Sequence, residues 1–438
     1  MALTHRQRVL FATVGIVFAL AATEGVSLLA IRLSGALLDE PIRTTRDIFA
    51  EQSEGLRRLL APDSSRMLTL DPLLGWRYRA GHRDSVYSIN SEGLRGAREY
   101  AHHQPAGVLR VAAFGDSFVY GSEVADSAAW PAQMEHLFPE MEVLNYGVGG
   151  YGVDQAYLRF CAEGTALSPQ VVIIGFVRDD LRRVVNVYRR FISTRDFPLV
   201  KPRFTLDSHG DLVLQPNPAP GPSQYERYLR TPRAVVALGA DDAWYRSLIY
   251  DDPLYDYSAT VRLLVNLWLR VHDRYLGADR LVRHGELNPG SRAFAIQIAL
   301  FERFAAAVRA AGARPVIVVF PDQESIVAAR QGRRTVLGPL IASLAARRLE
   351  HVDLTAAFLN PELAGSVGDW FASGGHYSPA GNRIVAQWLG RELLARMAAR
   401  HTDGAAAQDA PTPALVRACP GGTVRQGAVA AAGVGGAR

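Results

Sequence analysis

Apolar and polar positions in the middle of the chain alternate with the periods of strands and helices. Apolar runs of strand length recur at 109–114, 141–145, 170–176, 314–320 and 350–354. Segments with a helical repeat of apolar positions lie between or after them, at 127–138, 153–163, 292–312, 336–348 and 378–400. Strands that alternate with helices in this way predict a doubly wound α/β domain with a parallel sheet over 109–400, with flavodoxin-like topology.

The beginning of the chain has a different pattern. Residues 9–31 are almost continuously apolar, which is long enough to cross a bilayer as a helix. The basic residues before this run favour a cytoplasmic N-terminus and an exported remainder. We therefore expect an uncleaved transmembrane anchor over 1–32. A cleaved signal peptide is the alternative, because Ala19-Leu20-Ala21 resembles a cleavage site.

Glu24 interrupts this apolar run, and a carboxylate is costly at membrane depth. Two interpretations remain open. Either Glu24 lies near the outer interface, or it pairs with Arg32 or with a partner helix.

Three further segments flank or interrupt the α/β pattern. Residues 33–108 predict a juxtamembrane helix followed by a small β-rich lead-in. Residues 181–290 interrupt the alternation as a large insertion with a hairpin and amphipathic helices. Residues 401–438 are rich in Ala, Gly, Pro and Thr without periodicity, which predicts a disordered tail.

The composition is that of an ordinary globular protein. The 438 residues are 48% hydrophobic and 21% charged, with a formal net charge of +5. The basic residues are scattered, so we expect no nucleic-acid partner. The two cysteines, Cys161 and Cys419, are too few for a zinc site and far apart in the chain, so no structural disulfide is expected. No metal and no cofactor is predicted, and the oligomeric state is left open.

Polar pieces follow several predicted strands or open the last helix. They are Gly115-Asp116-Ser117-Phe118, 145–152, 175–180 and 375–382. In an open parallel sheet, ligands bind at the carboxyl ends of the strands. A serine held there can be a nucleophile if a base reaches it and donors face the developing oxyanion.

These pieces resemble the motif blocks of the SGNH (GDSL-type) hydrolases over about 109–180 and 292–395. The upstream Gly75-Trp76 and Gly93-Leu94-Arg95 resemble pieces of membrane-anchored bacterial members. The resemblance implies that Ser117 attacks an ester carbonyl, that His376 is the base and that Gly150 helps to form the oxyanion hole.

The acidic residues beside the serine and after the third strand have less specific roles. Asp116 can simply brace the turn, and Asp180 can bond backbone near the site. Asp179 stands where the family has an oxyanion-hole Asn. A carboxylate cannot donate a hydrogen bond unless it is protonated. Either Asp179 is protonated, or it turns away and the backbone N–H groups of Ser117 and Gly150 serve instead. The third possibility is that the alignment of this block with the family motif is off by one residue.

The family's triad acid is also missing from its usual place. Ser373 and Gly374 stand two or three residues before His376. Asp369 is the nearest carboxylate upstream and is the candidate third member of the triad. A backbone carbonyl could orient the imidazole instead.

The run 147–152 also fits G-x-G-x-x-G after a strand, the fingerprint of a dinucleotide site. We rank this alternative lower, because it follows the second strand of the domain and leaves Ser117 and His376 unexplained.

The sequence therefore predicts a serine esterase or O-acyltransferase that acts through an acyl-enzyme. The anchor places it in the bacterial inner membrane as a single-pass protein, with the catalytic domain in the periplasm or outside. The resemblance and the anchor imply an acylated carbohydrate or lipid ester as substrate. The alternative is a non-catalytic polysaccharide-binding or assembly protein with the same fold.

Overall fold

The computed structural model describes residues 4–35, 41–63, 65–277, 279–402 and 419. The tail expected over 401–438 therefore lies almost wholly outside the described residues. The strands are β1 (Leu68–Asp71), β2 (Gly75–Tyr78), β3 (Leu109–Phe114), β4 (Met141–Asn145), β5 (Val171–Phe176), β6 (Arg203–Leu206), β7 (Leu212–Gln215), β8 (Val282–Arg283), β9 (Glu286–Leu287), β10 (Arg314–Val319) and β11 (His351–Asp353).

Helices connect these strands and form most of the segments before and between them. They are α1 (His5–Ser34), α2 (Thr45–Leu60), α3 (Ser117–Tyr120), α4 (Trp130–Leu137), α5 (Val153–Glu163), α6 (Asp180–Arg183), α7 (Pro222–Arg230), α8 (Ser247–Tyr250), α9 (Leu254–Tyr257), α10 (Ala259–Val271), α11 (Arg292–Ala310), α12 (Gln323–Arg330), α13 (Gly338–Ala346) and α14 (Pro379–Thr402).

The chain divides into two compact units. The helical unit contains residues of 1–61, 188–199 and 222–280. The α/β unit contains residues of 62–187, 200–221 and 281–438. The predicted insertion is thus divided: its hairpin, β6 and β7, belongs to the α/β unit, whereas its helices belong with the N-terminal helices.

The α/β unit is built on a five-stranded sheet in the order β4-β3-β5-β10-β11, with all pairs parallel. In chain order this is 2-1-3-4-5, which is the flavodoxin-like arrangement. The predicted doubly wound α/β fold is therefore confirmed, and the five predicted strands lie within two residues of the observed ones.

The apolar runs form these strands because both faces of the sheet are covered. Every residue of β3, β4 and β5 is buried, as expected of a parallel sheet between two helical layers. Val111, Ile173 and Val318 belong to the core cluster on the side of α4 and α14. This packing fixes the carboxyl ends of the strands, where the polar pieces emerge.

The helical unit contains α1, a helix of 30 residues with a mean hydropathy of 2.1 in its most apolar window. By length and composition this helix can cross a membrane, although a signal sequence meets the same criteria. Glu24 in α1 bonds the first residues of α10, so its partners lie on another helix of the same chain and not at Arg32.

Candidate active site

Ser117 lies at the first position of α3, three residues after β3 ends. The preceding Asp116 caps this short helix by accepting a hydrogen bond from the Phe118 N–H at 2.8 Å. Gly115 is required in the turn, because a Cβ there would lie 2.4 Å from the Val119 side chain. The strand, the cap and the glycine hold the serine at the carboxyl edge of the sheet.

His376 lies beside this serine, although 259 residues separate them in the chain. Its Nε2 is 2.8 Å from Ser117 Oγ. The next residue, Tyr377, is buried and donates a hydrogen bond to the Pro321 carbonyl at 2.7 Å, which fixes the segment before α14 against the sheet. The Phe118 ring lies 5.2 Å from the imidazole. The structure thus brings together the predicted nucleophile and the predicted base.

Glu123 occupies the position of a triad acid on the other side of the imidazole. Its Oε2 lies 2.6 Å from Nδ1 of His376. The same carboxylate accepts hydrogen bonds from the backbone N–H of Gly374 at 2.8 Å and of His376 at 3.2 Å. Because an ionised carboxylate only accepts, Nδ1 carries the proton and Nε2 is left as the acceptor toward Ser117.

The hydrogen bonds to Glu123 keep its carboxyl group acidic. Partial burial acts to raise the pKa of Glu123, but the bonds from the His376 side chain and from the two backbone N–H groups outweigh it. The pKa of Glu123 is therefore below its ordinary value, and the group is ionised at neutral pH.

Asp369, the acid expected from the sequence, does not contact His376. Its carboxylate accepts from the backbone N–H of Ser366 at 2.7 Å and from the Ser366 hydroxyl at 3.0 Å. These bonds close a short 3₁₀ turn over Val367–Trp370. They also hold the pKa of Asp369 below its ordinary value. The expectation for Asp369 is corrected: Glu123 holds the Nδ1 position, and Asp369 caps a turn.

Glycine at position 374 makes room for this different acid. A Cβ on Gly374 would lie 2.5 Å from Oε1 of Glu123. The family's usual acid lies at about this point in the sequence. Here its absence leaves the backbone open to a carboxylate that arrives from the loop after α3.

The loop that carries Glu123 is held by a buried arginine of the lead-in. Arg95 donates hydrogen bonds to the carbonyls of Tyr120 and Val124, each at 2.5 Å, and to that of Gly121. Its Nε lies 3.1 Å from the carboxylate of Asp126. Arg95 thus fixes the backbone on both sides of Glu123.

Glu123 itself has φ of +68°, in the left-handed region that non-glycine residues rarely adopt. Such a conformation persists where the surrounding structure holds it. The contacts of Arg95 on either side provide that restraint.

The lead-in also holds the loop after β4, which carries the predicted oxyanion donor Gly150. Gly150 has φ of +78° and follows directly on Gly149. The Gly149 N–H donates to the Tyr78 hydroxyl at 3.0 Å, and its carbonyl accepts from Trp76 Nε1 at 3.1 Å. Burial raises the pKa of Tyr78 to about 12, so this hydroxyl stays neutral. The strand β2 therefore positions the backbone beside the predicted donor Gly150.

Asp116 and Asp180 are buried and share one arginine, Arg183. Nη1 of Arg183 lies 2.7 Å from Asp116, 3.0 Å from Asp180 and 3.0 Å from the Tyr151 carbonyl. Burial and the nearby Asp116 raise the pKa of Asp180 well above its ordinary value. The arrangement ties together the loops that follow β3, β4 and β5.

Asp179 points away from this cluster. Its side chain is 56% exposed, and its carboxylate lies 4.0 Å from Arg182. Asp180 is the residue that turns inward, where it accepts from the Val177 N–H at 3.0 Å. The backbone N–H of Ser117, in contrast, lies at a helix start and has no intrahelical acceptor.

The glycines of the dinucleotide-like run pack against protein. A Cβ on Gly147 would lie 2.2 Å from the backbone nitrogen of Tyr120, and one on Gly149 would lie 2.7 Å from the Tyr78 hydroxyl. These glycines are explained by close packing at the serine loop, and they leave no reason to invoke a pyrophosphate.

Comparisons with known proteins gave structural matches alone. No protein-family model and no curated protein matches the sequence. The chain is similar to a lipase/acylhydrolase from Enterococcus faecalis, with 14% identity, 66% of this chain and 97% of that chain covered, and a TM-score of 0.30. It is also similar to a member of the lipolytic G-D-S-L family from Veillonella parvula, with 15% identity, 66% of this chain and 100% of that chain covered, and a TM-score of 0.31.

A lipolytic protein of the G-D-S-L family from Desulfitobacterium hafniense gives 12% identity, 64% and 98% coverage, and a TM-score of 0.27. These low scores add nothing to the geometry of the site. In its strand order, in the Gly-Asp-Ser turn after the first sheet strand and in the histidine before the last helix, the chain resembles the SGNH (GDSL-type) hydrolases, as the sequence motifs predict.

Proposed function

We propose that the protein is a serine esterase or O-acyltransferase that works through an acyl-enzyme on Ser117. One observation carries the proposal: Glu123, His376 and Ser117 form a continuous hydrogen-bonded relay with distances of 2.6 and 2.8 Å. Nucleophile, base and orienting acid in this order are the parts that serine acyl transfer needs.

In the proposed reaction, Nε2 of His376 takes the Ser117 hydroxyl proton as Oγ attacks the ester carbonyl. Glu123 stabilises the imidazolium that forms. Backbone N–H groups at Ser117 and Gly150 face the developing oxyanion. The imidazolium then protonates the leaving alkoxide, and water or a sugar hydroxyl takes the acyl group from Ser117 in the second half of the reaction.

The setting of the site supports an acylated carbohydrate or a lipid ester as substrate. The relay is 25–27% exposed at His376 and Glu123, so a bulky ester can approach it from solvent. Helix α1 supports a single-pass anchor in the inner membrane with the α/β unit in the periplasm or outside. The non-catalytic alternative rests on the absence of an acid just before His376 in the sequence. Glu123 lies within hydrogen-bond distance of Nδ1 of His376, which weakens that alternative.

Labelling with a fluorophosphonate tests the proposal directly. We expect the probe to modify Ser117 in the full chain, and we expect Ser117→Ala to lose both labelling and hydrolysis of acetyl esters. Full hydrolysis by a folded Ser117→Ala variant would disprove the proposal. Product analysis with and without a polysaccharide acceptor then separates hydrolysis from transfer.

A further inference from the structure

Helix α10 of the helical unit carries an apolar stripe on its outer side. The stripe is 46–61% exposed and consists of Leu264, Leu267, Trp268, Val271 and, in the turn after the helix, Tyr275. Spacings of 3, 4, 7 and 11 residues from Leu264 place these side chains on one helical face. Ala259 and Arg262, on the opposite side of α10, are buried. We call this exposed face the α10 stripe.

A stripe of this kind needs an explanation. Single exposed leucines are common, but soluble proteins rarely leave a continuous row of large apolar side chains in water. The row includes a tryptophan and a tyrosine, whose burial contributes most when a partner covers them. The partner must be inferred from what lies beside the helix.

The start of α10 is bonded to the candidate membrane helix α1. The Glu24 carboxylate accepts from the Ser258 hydroxyl and from the backbone N–H of Ala259 at 2.7 Å. Ser27, one turn further along α1, is buried with its hydroxyl 3.1 Å from that of Thr260. Since Glu24 satisfies orphan N–H groups at the N-terminus of α10, the two helices are held together at this point.

This point of attachment lies inside the apolar band of α1. Exposed apolar side chains continue past Glu24 as far as Leu33. A bilayer core takes about 20 residues of helix, so a span that begins at Val9, directly after the basic residues, ends near Leu28. Glu24 lies four residues before Leu28, about 6 Å along the helix axis, so the beginning of α10 is close to the outer boundary of the hydrocarbon core when α1 spans a bilayer.

The residues on and beside the stripe match that location. Trp268 and Tyr275 are of the two types that concentrate at membrane–water interfaces. Arg270 and Arg274 are exposed on one flank of the stripe, where they suit anionic lipid headgroups. An apolar face with a basic flank is the pattern of a helix that lies in the interface.

We propose that the α10 stripe rests on the outer surface of the same bilayer that α1 crosses. The inference depends on the proposed anchoring by α1 and adds to it a second, lateral membrane contact. Glu24 links the two contacts, because its carboxylate accepts hydrogen bonds from the first residues of α10 near the membrane interface. These bonds orient α10 at that depth. The helical unit is then a platform fixed on the membrane at two places.

Tryptophan quenching by brominated lipids tests this contact. The full chain is reconstituted in vesicles of phosphatidylethanolamine and phosphatidylglycerol, with and without bromine on the acyl chains. We expect Trp268→Phe to remove at least half of the bromolipid-sensitive fluorescence. Trp388→Phe is the matched control, because Trp388 on α14 is also partly exposed, at 37%, but lies in the α/β unit. That control is expected to retain the sensitive fraction.

Two results would overturn the inference. In one, Trp268→Phe leaves bromolipid quenching unchanged while the chain stays in the vesicles after alkaline carbonate extraction. In the other, Trp268 is shielded from both bromolipid and aqueous iodide, which means that a second protein copy covers the stripe. Release of the chain by carbonate would instead show that the anchoring proposal itself has failed.

Discussion

Oε2 of Glu123 lies 2.6 Å from Nδ1 of His376, so the acid that orients the candidate base comes from the loop just after the nucleophile. Only six positions separate Glu123 from Ser117, whereas 253 separate it from His376. The loop after β3 thus supplies both ends of the relay, and the segment before α14 supplies its middle.

Glu123→Gln is expected to lower kcat/KM by roughly 100- to 10,000-fold, because the amide no longer stabilises the imidazolium and can hold the wrong tautomer. Asp369→Asn is the matched control. Asp369 binds Ser366 and not the imidazole, so this variant should stay within a few-fold of the parent protein. Ester hydrolysis by both purified variants checks the prediction, and the reverse ranking would return the acid role to Asp369.

Gly374→Ala should impair the same relay without touching an ionisable group. The added Cβ would lie 2.5 Å from Oε1 of Glu123, so the carboxylate must move. A displacement of about 1 Å in a catalytic group can cost about 100-fold in rate. We therefore expect kcat to fall by roughly 10- to 100-fold.

Gly368→Ala provides the control for this glycine substitution, since the nearest atom to its added Cβ would be the Ser366 hydroxyl at 3.6 Å. It should leave ester hydrolysis near the parent level. Equal activity of the two alanine variants would show that the relay tolerates movement of Glu123.

Glu123 carries no signal in the sequence that marks it as the acid of the relay. Apolar periodicity predicts the strands, and motif pieces at strand ends predict that Ser117 and His376 share an edge of the sheet. The approach of Glu123 depends on a left-handed backbone, on a buried arginine from the lead-in and on an open glycine at position 374. Each of these is a tertiary relationship without a periodic signal in the sequence.

The division of the insertion was unpredictable for a similar reason. Local pattern identifies the hairpin β6–β7 and the helix α10 as elements. Local pattern does not predict that Glu24, more than 230 residues earlier in the chain, caps the N-terminus of α10. The separation of 222–280 from 200–221 follows from such long-range contacts.

Arg95 is expected to act as a positioning residue for Glu123. Arg95→Met leaves the Gly121 and Val124 carbonyls without their donor, whereas the Tyr120 carbonyl keeps the side chain of Asn145. Each unsatisfied buried group costs about 1–3 kcal/mol, so this variant should be strongly destabilised. Arg95→Lys keeps one charge-assisted donor and should fold, but it cannot span Tyr120 and Val124 together. We expect Arg95→Lys to lower kcat by roughly tenfold with little change in KM.

A double-mutant cycle separates this role from a general loss of stability. If Arg95 acts through Glu123, Arg95→Lys should have little further effect on kcat in the Glu123→Gln background. Additive losses in the double variant would show that Arg95 contributes by another route.

Arg183 should stabilise the α/β unit in a pH-dependent way. Arg183→Met leaves Asp116 and Asp180 buried next to each other without their cation, and breaking a buried ion pair in this way costs about 3–5 kcal/mol. Arg182→Met is the control, because Arg182 is 41% exposed and lies 4.0 Å from Asp179. Its effect should be under about 0.5 kcal/mol.

The sign of the pH effect follows from Asp180. Its pKa is raised in the folded state, and removal of Arg183 takes away a charge that lowers it. The folded variant therefore binds a proton more readily than the unfolded chain, so its stability rises as the pH falls from above the raised pKa toward the ordinary value of 3.8. Urea unfolding midpoints of the detergent-solubilised parent protein and Arg183→Met at several pH values measure this pH dependence of stability. The deficit of Arg183→Met should be largest at neutral pH and shrink on acidification, and a deficit that grows on acidification would contradict a raised pKa at Asp180.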